Sequence, residues 1–326
     1  MKKVIAIFSK KLFRQVIVSL AVICAVTPCV VASFTYVTTG SGNVVKVDLN
    51  AGSTQVVASL PSSVSPDVRG IAYDGQGRIY VGTTWGSAPG WAKLVVRITP
   101  QTSGAAIVEP FTAPITSTYG TGQIGFNSKD DLFVAGDTDQ LIYRYNNSGQ
   151  LVSTLGFSGS ANVGLFVDGD VVYSVGYFSP YKLVRYDTSG SQPVGGVIAQ
   201  LQFPFDYCPT SLCTSHTGNL AIGFSSVNHA GWTELWEYNL QTQGLHKLFD
   251  CGGPSGFAQY DPLTNTYLIG GTGGLTMLDT QGHFVKSISN PDLGSVRLIS
   301  ETFVPEPATL LLLGLGAVML RRKRWL

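Results

Sequence analysis

The 326-residue sequence predicts an all-β fold, a six-bladed propeller built from four-stranded antiparallel blades. Three observations carry the prediction. A strand-and-turn segment recurs six times along the body. A hairpin segment precedes most of its copies. A lone strand at the end of the body matches a gap at its beginning. The composition agrees, with 13% charged residues and 38 glycines among many Val, Thr, Ser and Tyr, a strand-and-turn vocabulary.

The chain opens on a secretory signal over residues 1–32. Five basic residues between Lys2 and Arg14 precede the apolar run Val16 to Val26, and Val30-Val31-Ala32 supplies a small-residue cleavage site before Ser33. An N-terminal helix removed on export is therefore expected. Nine of the 21 basic residues and one of the 20 acids lie in the two end segments. That leaves 12 against 19 between Ser33 and Phe303, a net −7, and argues against a nucleic-acid partner, which would need a concentrated basic face.

The body, residues 33–303, repeats a short apolar strand, then Asp or Asn, a polar turn and Gly. The copies begin at Val44, Leu94, Leu141, Leu183, Leu235 and Leu275, and their closing glycines stand 52, 45, 41, 54 and 38 residues apart. Periods of 40 to 50 residues with strand character are those of propeller blades. The preceding hairpins run Ile71-Ala72-Tyr73-Asp74 to Ile79-Tyr80-Val81-Gly82, and Phe126-Asn127 to Leu132-Phe133-Val134-Ala135. Weaker versions lie at 165–174 and 257–270. Their turns are rich in Asp, Asn and Gly, which tolerate positive φ. The first copy lacks a leading strand, and Val296 to Phe303 has no partner. The expected repair is that this last strand completes the first blade and closes the ring, removing open edges. A sandwich or solenoid is the alternative, and a degenerate seventh blade would have to hide in the Pro-rich stretch 203–214, read as a loop.

Three cysteines remain after the signal. Cys208 and Cys213, five positions apart, are candidates for a small disulfide ring, and either can instead pair with Cys251. No metal site is expected from three thiols lacking a CxxC pair or a His cluster. His216, His229, His246 and His283 show no i, i+4 spacing, and there is no nucleophile elbow or P-loop. No catalytic residue and no cofactor are therefore assigned. The acid pairs Asp130-Asp131 and Asp168-Gly169-Asp170 fall in hairpin turns, where Asp serves the turn. Aromatics are plentiful, namely Trp85, Trp91, Trp232, Trp236, Tyr119, Tyr177, Phe178 and Tyr181, and several lie in the longest insertions, 83–91 and 225–232. On one face of a propeller they suit sugar stacking or protein contacts, the alternative being that they cover blade faces.

The phrase Tyr73-Asp74-Gly75-Gln76-Gly77-Arg78-Ile79-Tyr80-Val81 resembles the repeats of six-bladed propellers of NHL, streptogramin-lyase and gluconolactonase type. That group contains both binders and enzymes, so the resemblance implies a fold and not an activity.

Residues 304–326 are an address. Val304 leads to Pro305-Glu306-Pro307, then to 13 uncharged residues from Ala308 to Leu320, then to Arg321, Arg322, Lys323 and Arg324. As a helix the apolar run spans about 20 Å, short of roughly 30 Å of hydrocarbon, and the basic stop would hold its end on the cytoplasmic side. The whole segment resembles a PEP-CTERM sorting signal. The resemblance implies Gram-negative export, recognition of Pro305-Glu306-Pro307 by an exosortase, transient insertion of the helix in the inner membrane, and release to the outer surface or matrix. It places the protein in an exopolysaccharide or biofilm context. The expected role is non-catalytic binding of polysaccharide or a surface protein. The alternative is an extracellular propeller enzyme, a lactonase-like hydrolase or a lyase.

Overall fold

The computed structural model describes residues 33–301 except 66, 157–161, 178, 204–206, 227–232 and 252–256. The signal segment, the sorting segment and their expected helices lie outside the described residues. Among the described residues there is no helix, and 24 strands form six four-stranded antiparallel sheets.

Blade 1 joins the two ends of the body. It holds β1 (Phe34–Thr39), β2 (Asn43–Asp48) and β3 (Thr54–Ser59), with β24 (Val296–Ile299) on the inner side of β1. Blade 2 runs β4 (Gly70–Tyr73), β5 (Ile79–Gly82), β6 (Val95–Thr99) and β7 (Ile107–Pro110). Blade 3 runs β8 (Thr121–Phe126), β9 (Leu132–Gly136), β10 (Leu141–Tyr145) and β11 (Leu151–Gly156). Blade 4 runs β12 (Asn162–Asp168), β13 (Val171–Gly176), β14 (Tyr181–Asp187) and β15 (Val194–Leu201). Blade 5 runs β16 (Tyr207–Thr214), β17 (Leu220–Ser226), β18 (Thr233–Tyr238) and β19 (Leu245–Asp250). Blade 6 runs β20 (Ala258–Asp261), β21 (Thr266–Gly271), β22 (Gly274–Leu278) and β23 (Phe284–Ile288). The inner strands β24, β4, β8, β12, β16 and β20 follow one another in that order around a central channel, with β24 meeting blade 6 through β21.

The closure expected from the sequence is present. Val37 pairs with Ile299 and Thr38 with Leu298. Ser300 N donates to Tyr36 O at 2.8 Å, and Tyr36 N donates to Ser300 Oγ at 3.0 Å. The stretch 203–214 is not a loop hiding a seventh blade. Its second half is β16, the inner strand of blade 5, paired with β17 from Tyr207 to Thr214. Pro209 is accommodated at a bulge in that ladder, where a missing N–H costs little.

Each second strand is buried on both faces, because each face meets a different neighbouring blade. In β9, Leu132 and Val134 pack into the core between blades 2 and 3, while Phe133 and Ala135 pack between blades 3 and 4. In β17, Leu220, Ile222 and Phe224 face blade 4, and Ala221 faces blade 6. The core is thus divided into clusters, one at each blade interface. That is why these strands read as unbroken apolar runs. The fourth strands lie outermost, and Leu151, Val152, Val194 and Phe284 are exposed there.

The Asp/Asn-x-x-Gly phrase is an Asx turn. Asp74 Oδ1 accepts from Gln76 N and Arg78 N, both at 2.9 Å, and Gly77 takes φ of 75°. Asn146 and Asp279 repeat the arrangement.

Candidate functional site at the two mouths of the channel

All inner-to-second-strand hairpins turn on one end of the ring, the hairpin face. The connections into the inner strands and between second and third strands gather at the other end, the loop face. Between them the channel is bridged. Gln123, on β8, turns its Oε1 to accept from Leu165 N at 2.8 Å and Leu212 N at 3.0 Å. One side chain therefore satisfies inner-edge amides of blades 4 and 5. Ser211 Oγ does the same for Ala258 N at 3.1 Å. These amides have no strand partner, so a polar side chain is needed. Nothing in the sequence around Gln123 marks it, since the signal is its place in the ring.

On the loop face, Arg69 Nη1 lies 2.8 Å from Asp137 Oδ2, with Asp67 at 4.0 Å from the other nitrogen. Burial raises the Asp137 carboxyl above its usual range, against the opposing pull of Arg69. Tyr177, hydrogen-bonded to Cys208, is pushed up to about 12, first by burial and then by that bond. Beside this group the insertion after β5 meets the one before β8. Trp85 N donates to Tyr119 O at 3.1 Å, and the two side chains are 60% and 48% exposed. The loops brace each other: Thr118 N donates to Thr138 Oγ1 at 2.9 Å, Ser117 Oγ sits 3.1 Å from Thr138 Oγ1, and Thr83 Oγ1 donates to Trp91 O at 2.6 Å.

Gly120 permits this contact. Its φ is 106°, and a Cβ there would stand 2.6 Å from Thr83 O and 2.8 Å from Thr84 Cα. Gly120→Ala is expected to cost about 2–3 kcal/mol of stability, from a φ that L residues avoid plus a clash with backbone. It should also separate Tyr119 from Trp85. Thermal unfolding and quenching of tryptophan fluorescence by acrylamide would check both, and an unchanged midpoint would refute the expectation.

The other expected aromatics do not share the platform. Trp91 packs against the core between blades 1 and 2, Trp236 lies edge-on to Phe203 and Phe224, and Tyr181 is buried. Trp232 falls outside the described residues.

The hairpin face carries a cavity of about 430 Å³ at the channel mouth. Five blades line it: Asn127 from blade 3, Asp168 from blade 4, Thr214 from blade 5, Gln259 from blade 6, and Glu301 just beyond the closing strand of blade 1. Glu301 is exposed at this mouth. The protein around its carboxyl pushes it up to about 7, and the charge of Asp168 adds to the rise. The sequence contains Glu301 as one of few body glutamates. Only closure of the ring brings it opposite Asp168.

The Cys208–Cys213 ring does not form. Cys208, Cys213 and Cys251 take part in no disulfide among the described residues. Cys208 and Cys213 lie on one strand, facing Ser225 and Ala221 across the ladder. Five extended residues separate their Cα atoms by roughly 15 Å, far beyond the span of a disulfide. Cys213 and Cys251 share the core between blades 5 and 6, and burial pushes both thiols up to about 12, so neither offers a thiolate near neutral pH. His216 Nδ1 stands 3.1 Å from Tyr267 Oη, whereas His246 and His283 sit beside single acids. His229, Pro305, Glu306, Pro307 and the four basic residues that follow the apolar run lie outside the described residues. Among the described residues no group of three or more His, Cys, Asp or Glu is placed to hold a metal ion.

Comparison with known proteins agrees with this architecture. The PEP-CTERM protein-sorting motif matches residues 303–324. No curated protein matches the chain by sequence. Among solved structures, a chain of the nidogen/laminin complex superposes with a TM-score of 0.60 at 10% identity, over 82% of this chain and 97% of that one. A streptogramin B lyase gives 0.49 at 15% identity over 71% and 70%, and virginiamycin B lyase from Staphylococcus aureus gives 0.49 at 10% over 72% and 74%. At these identities the likeness is one of fold. The motif implies export, a membrane-anchored stage and processing by an exosortase. The chain is thus an exported six-bladed β-propeller protein carrying a PEP-CTERM sorting motif.

Proposed function

We propose that this propeller is a non-catalytic binding protein, delivered by its sorting signal to the outer surface or extracellular matrix, where its loop face takes up polysaccharide. The observation that carries the reading is the pair Trp85 and Tyr119, exposed side by side on loops locked by Ser and Thr hydrogen bonds. Large apolar rings held in water suit the C–H faces of sugars, and a rigid mounting lowers the entropy cost of binding. The sorting motif at residues 303–324 supports placing that polysaccharide in an exopolysaccharide or biofilm setting.

A glycan array probed with the full chain in mild detergent tests the reading. Binding to a defined polysaccharide is expected, and Trp85→Ala with Tyr119→Ala should weaken it at least tenfold, at about 1 kcal/mol or more per ring. Loss of the exosortase in the host should leave the chain full-length. Sugar binding indifferent to both rings would overturn the assignment.

The enzyme alternative, a lactonase-like hydrolase or a lyase, draws on one observation: Glu301, its carboxyl raised by its surroundings, lines a cavity together with residues of four other blades, a position from which a carboxylate can act as a general base. Turnover abolished by Glu301→Gln would favour that reading over the first.

A further inference from the structure

As a sugar site, the Trp85–Tyr119 platform covers C–H faces and leaves the sugar hydroxyls to other groups. Such groups stand beside the rings. Arg69 lies between two acids: its Nη1 meets Asp137 Oδ2 at 2.8 Å, and its Nη2 is 4.0 Å from Asp67 Oδ2. Each acid belongs to one side of the platform. Asp137 N donates to Gly120 O at 3.0 Å, next to Tyr119. Asp67 N donates to Ser65 Oγ at 3.2 Å, and Ser65 N donates to Ser87 Oγ at 3.0 Å in the insertion that carries Trp85. Ala88 N donates to Ser63 O at 2.7 Å and holds the same two segments together. The guanidinium thus ties the segment that braces Trp85 to the one that braces Tyr119.

The two acids differ in what they have left to offer. The Asp137 side chain is 6% exposed and its Oδ2 is taken by the short ion pair. The Asp67 side chain is 55% exposed, and 4.0 Å is beyond hydrogen-bond reach, so its oxygens keep acceptor capacity. Arg69 is about one-third exposed, and a guanidinium has five N–H donors, more than one carboxylate oxygen can use. A charged acceptor and a charged donor side by side match two adjacent sugar hydroxyls. One hydroxyl donates to the carboxylate, and its neighbour accepts from the guanidinium.

Charge narrows the ligand further. Asp139 accepts from Thr116 Oγ1 at 3.1 Å, at the base of the Tyr119 loop. Lys93, whose carbonyl accepts from Ile115 N at 2.7 Å, is the other cation of these loops. Asp67, Asp137 and Asp139 against Arg69 and Lys93 leave the platform net negative, on a body that is itself net −7. A uronate would bring its carboxylate up to Asp67, and a polyuronate repeats that repulsion along its length.

We propose, on the sugar-binding reading of the platform, that it selects neutral polysaccharide and that Asp67 determines this specificity. The rings supply affinity for any sugar face. Asp67 and Arg69 supply the hydroxyl contacts, and the excess of carboxylates turns acidic polymers away.

Binding of the full chain in mild detergent to immobilised polymers tests the assignment. Dextran, hydroxyethylcellulose and galactomannan serve as neutral probes, alginate and polygalacturonate as polyuronates, each at low and high salt. At low salt at least one neutral polymer is expected to bind tenfold or more tightly than either polyuronate, with the gap closing at high salt. Asp67→Ala should weaken neutral binding by about tenfold or more. Asp67→Asn should narrow the gap between neutral and acidic polymers, whereas Trp85→Ala should weaken both alike. Asp67 is largely exposed, so unchanged unfolding midpoints are expected for its variants and separate loss of the site from loss of the fold. Polyuronates bound as tightly as neutral polymers would overturn the proposal and leave the platform a sugar site. An Asp67→Ala chain that binds like the natural one would equally overturn it. Binding to none of the five polymers would overturn the proposal together with the sugar reading.

Discussion

A chain that stops after Gly294 is expected to lose its fold, whereas one that stops after Phe303 keeps it. The difference is β24. Val296 and Ile299 complete the core between blades 6 and 1, and Leu298 completes the core between blades 1 and 2. All three are nearly inaccessible to solvent, at 1%, 8% and 2% exposure. Losing three such side chains removes roughly 5–9 kcal/mol of burial, comparable with the whole stability of a typical domain. The hydrogen bonds of Ser300 to Tyr36 and of Thr35 Oγ1 to Ser300 O at 2.9 Å go with them. The inner edge of β1 is then left open to pair with other chains. Far-ultraviolet circular dichroism and limited proteolysis of the two truncations would show it. A Gly294-terminated chain that melts with the Phe303-terminated one would refute the claim that one strand holds the ring shut.

The second large effect is expected at Asp74. Its carboxylate is 3% exposed and serves four donors at once. Oδ1 holds the Gln76 and Arg78 amides, while Oδ2 meets Arg78 Nε at 2.6 Å and Tyr80 Oη at 3.0 Å. Burial and this neighbouring charge together push the Tyr80 hydroxyl up to about 12. Asp74→Ala strands a guanidinium and a buried phenol, and should cost about 3–5 kcal/mol, since breaking a buried pair leaves an uncompensated charge. That corresponds to roughly 10 °C in melting temperature. Asp74→Asn keeps the turn acceptor and should fall between. Asp187, at the end of β14 in blade 4, accepts from the amide and hydroxyl of Ser189 through Oδ1, so Asp187→Ala should cost far less than Asp74→Ala. Equal costs at the two positions would show that the turn, and not the buried network, accounts for the loss.

Asp74 and Asp187 both read as the acidic residue that ends a strand before a turn. One anchors a buried network and the other caps an open turn, and only their neighbours in space separate them. The same holds for Asn127, legible as a turn former from its hairpin. Its orphaned Nδ2 becomes visible only when blades 4 and 6 are placed beside it. The reading of 203–214 as a loop failed for a related reason. Prolines and cysteines there mask the alternation of a strand, and the inner position in the ring, where one edge has no strand partner, tolerates Pro209.

Local chemistry was legible in the chain itself. Apolar runs four to six residues long, broken by Asp or Asn and Gly, determine strands and tight turns because only those residues satisfy both periods. Repeating them six times determines blades, and the leftover strand at Val296 determines closure, because an unpaired edge has to find its complement. The export and sorting signals are likewise local, a matter of charge and hydropathy along the chain. The channel mouths are different. Glu301 and Asp168 are 133 residues apart in sequence, and Gln123 bonds to amides of two other blades. Such meetings carry no sequence period. They are decided by the tertiary ring, which sets residues of unrelated position around a common axis and so creates the electrostatics of each site.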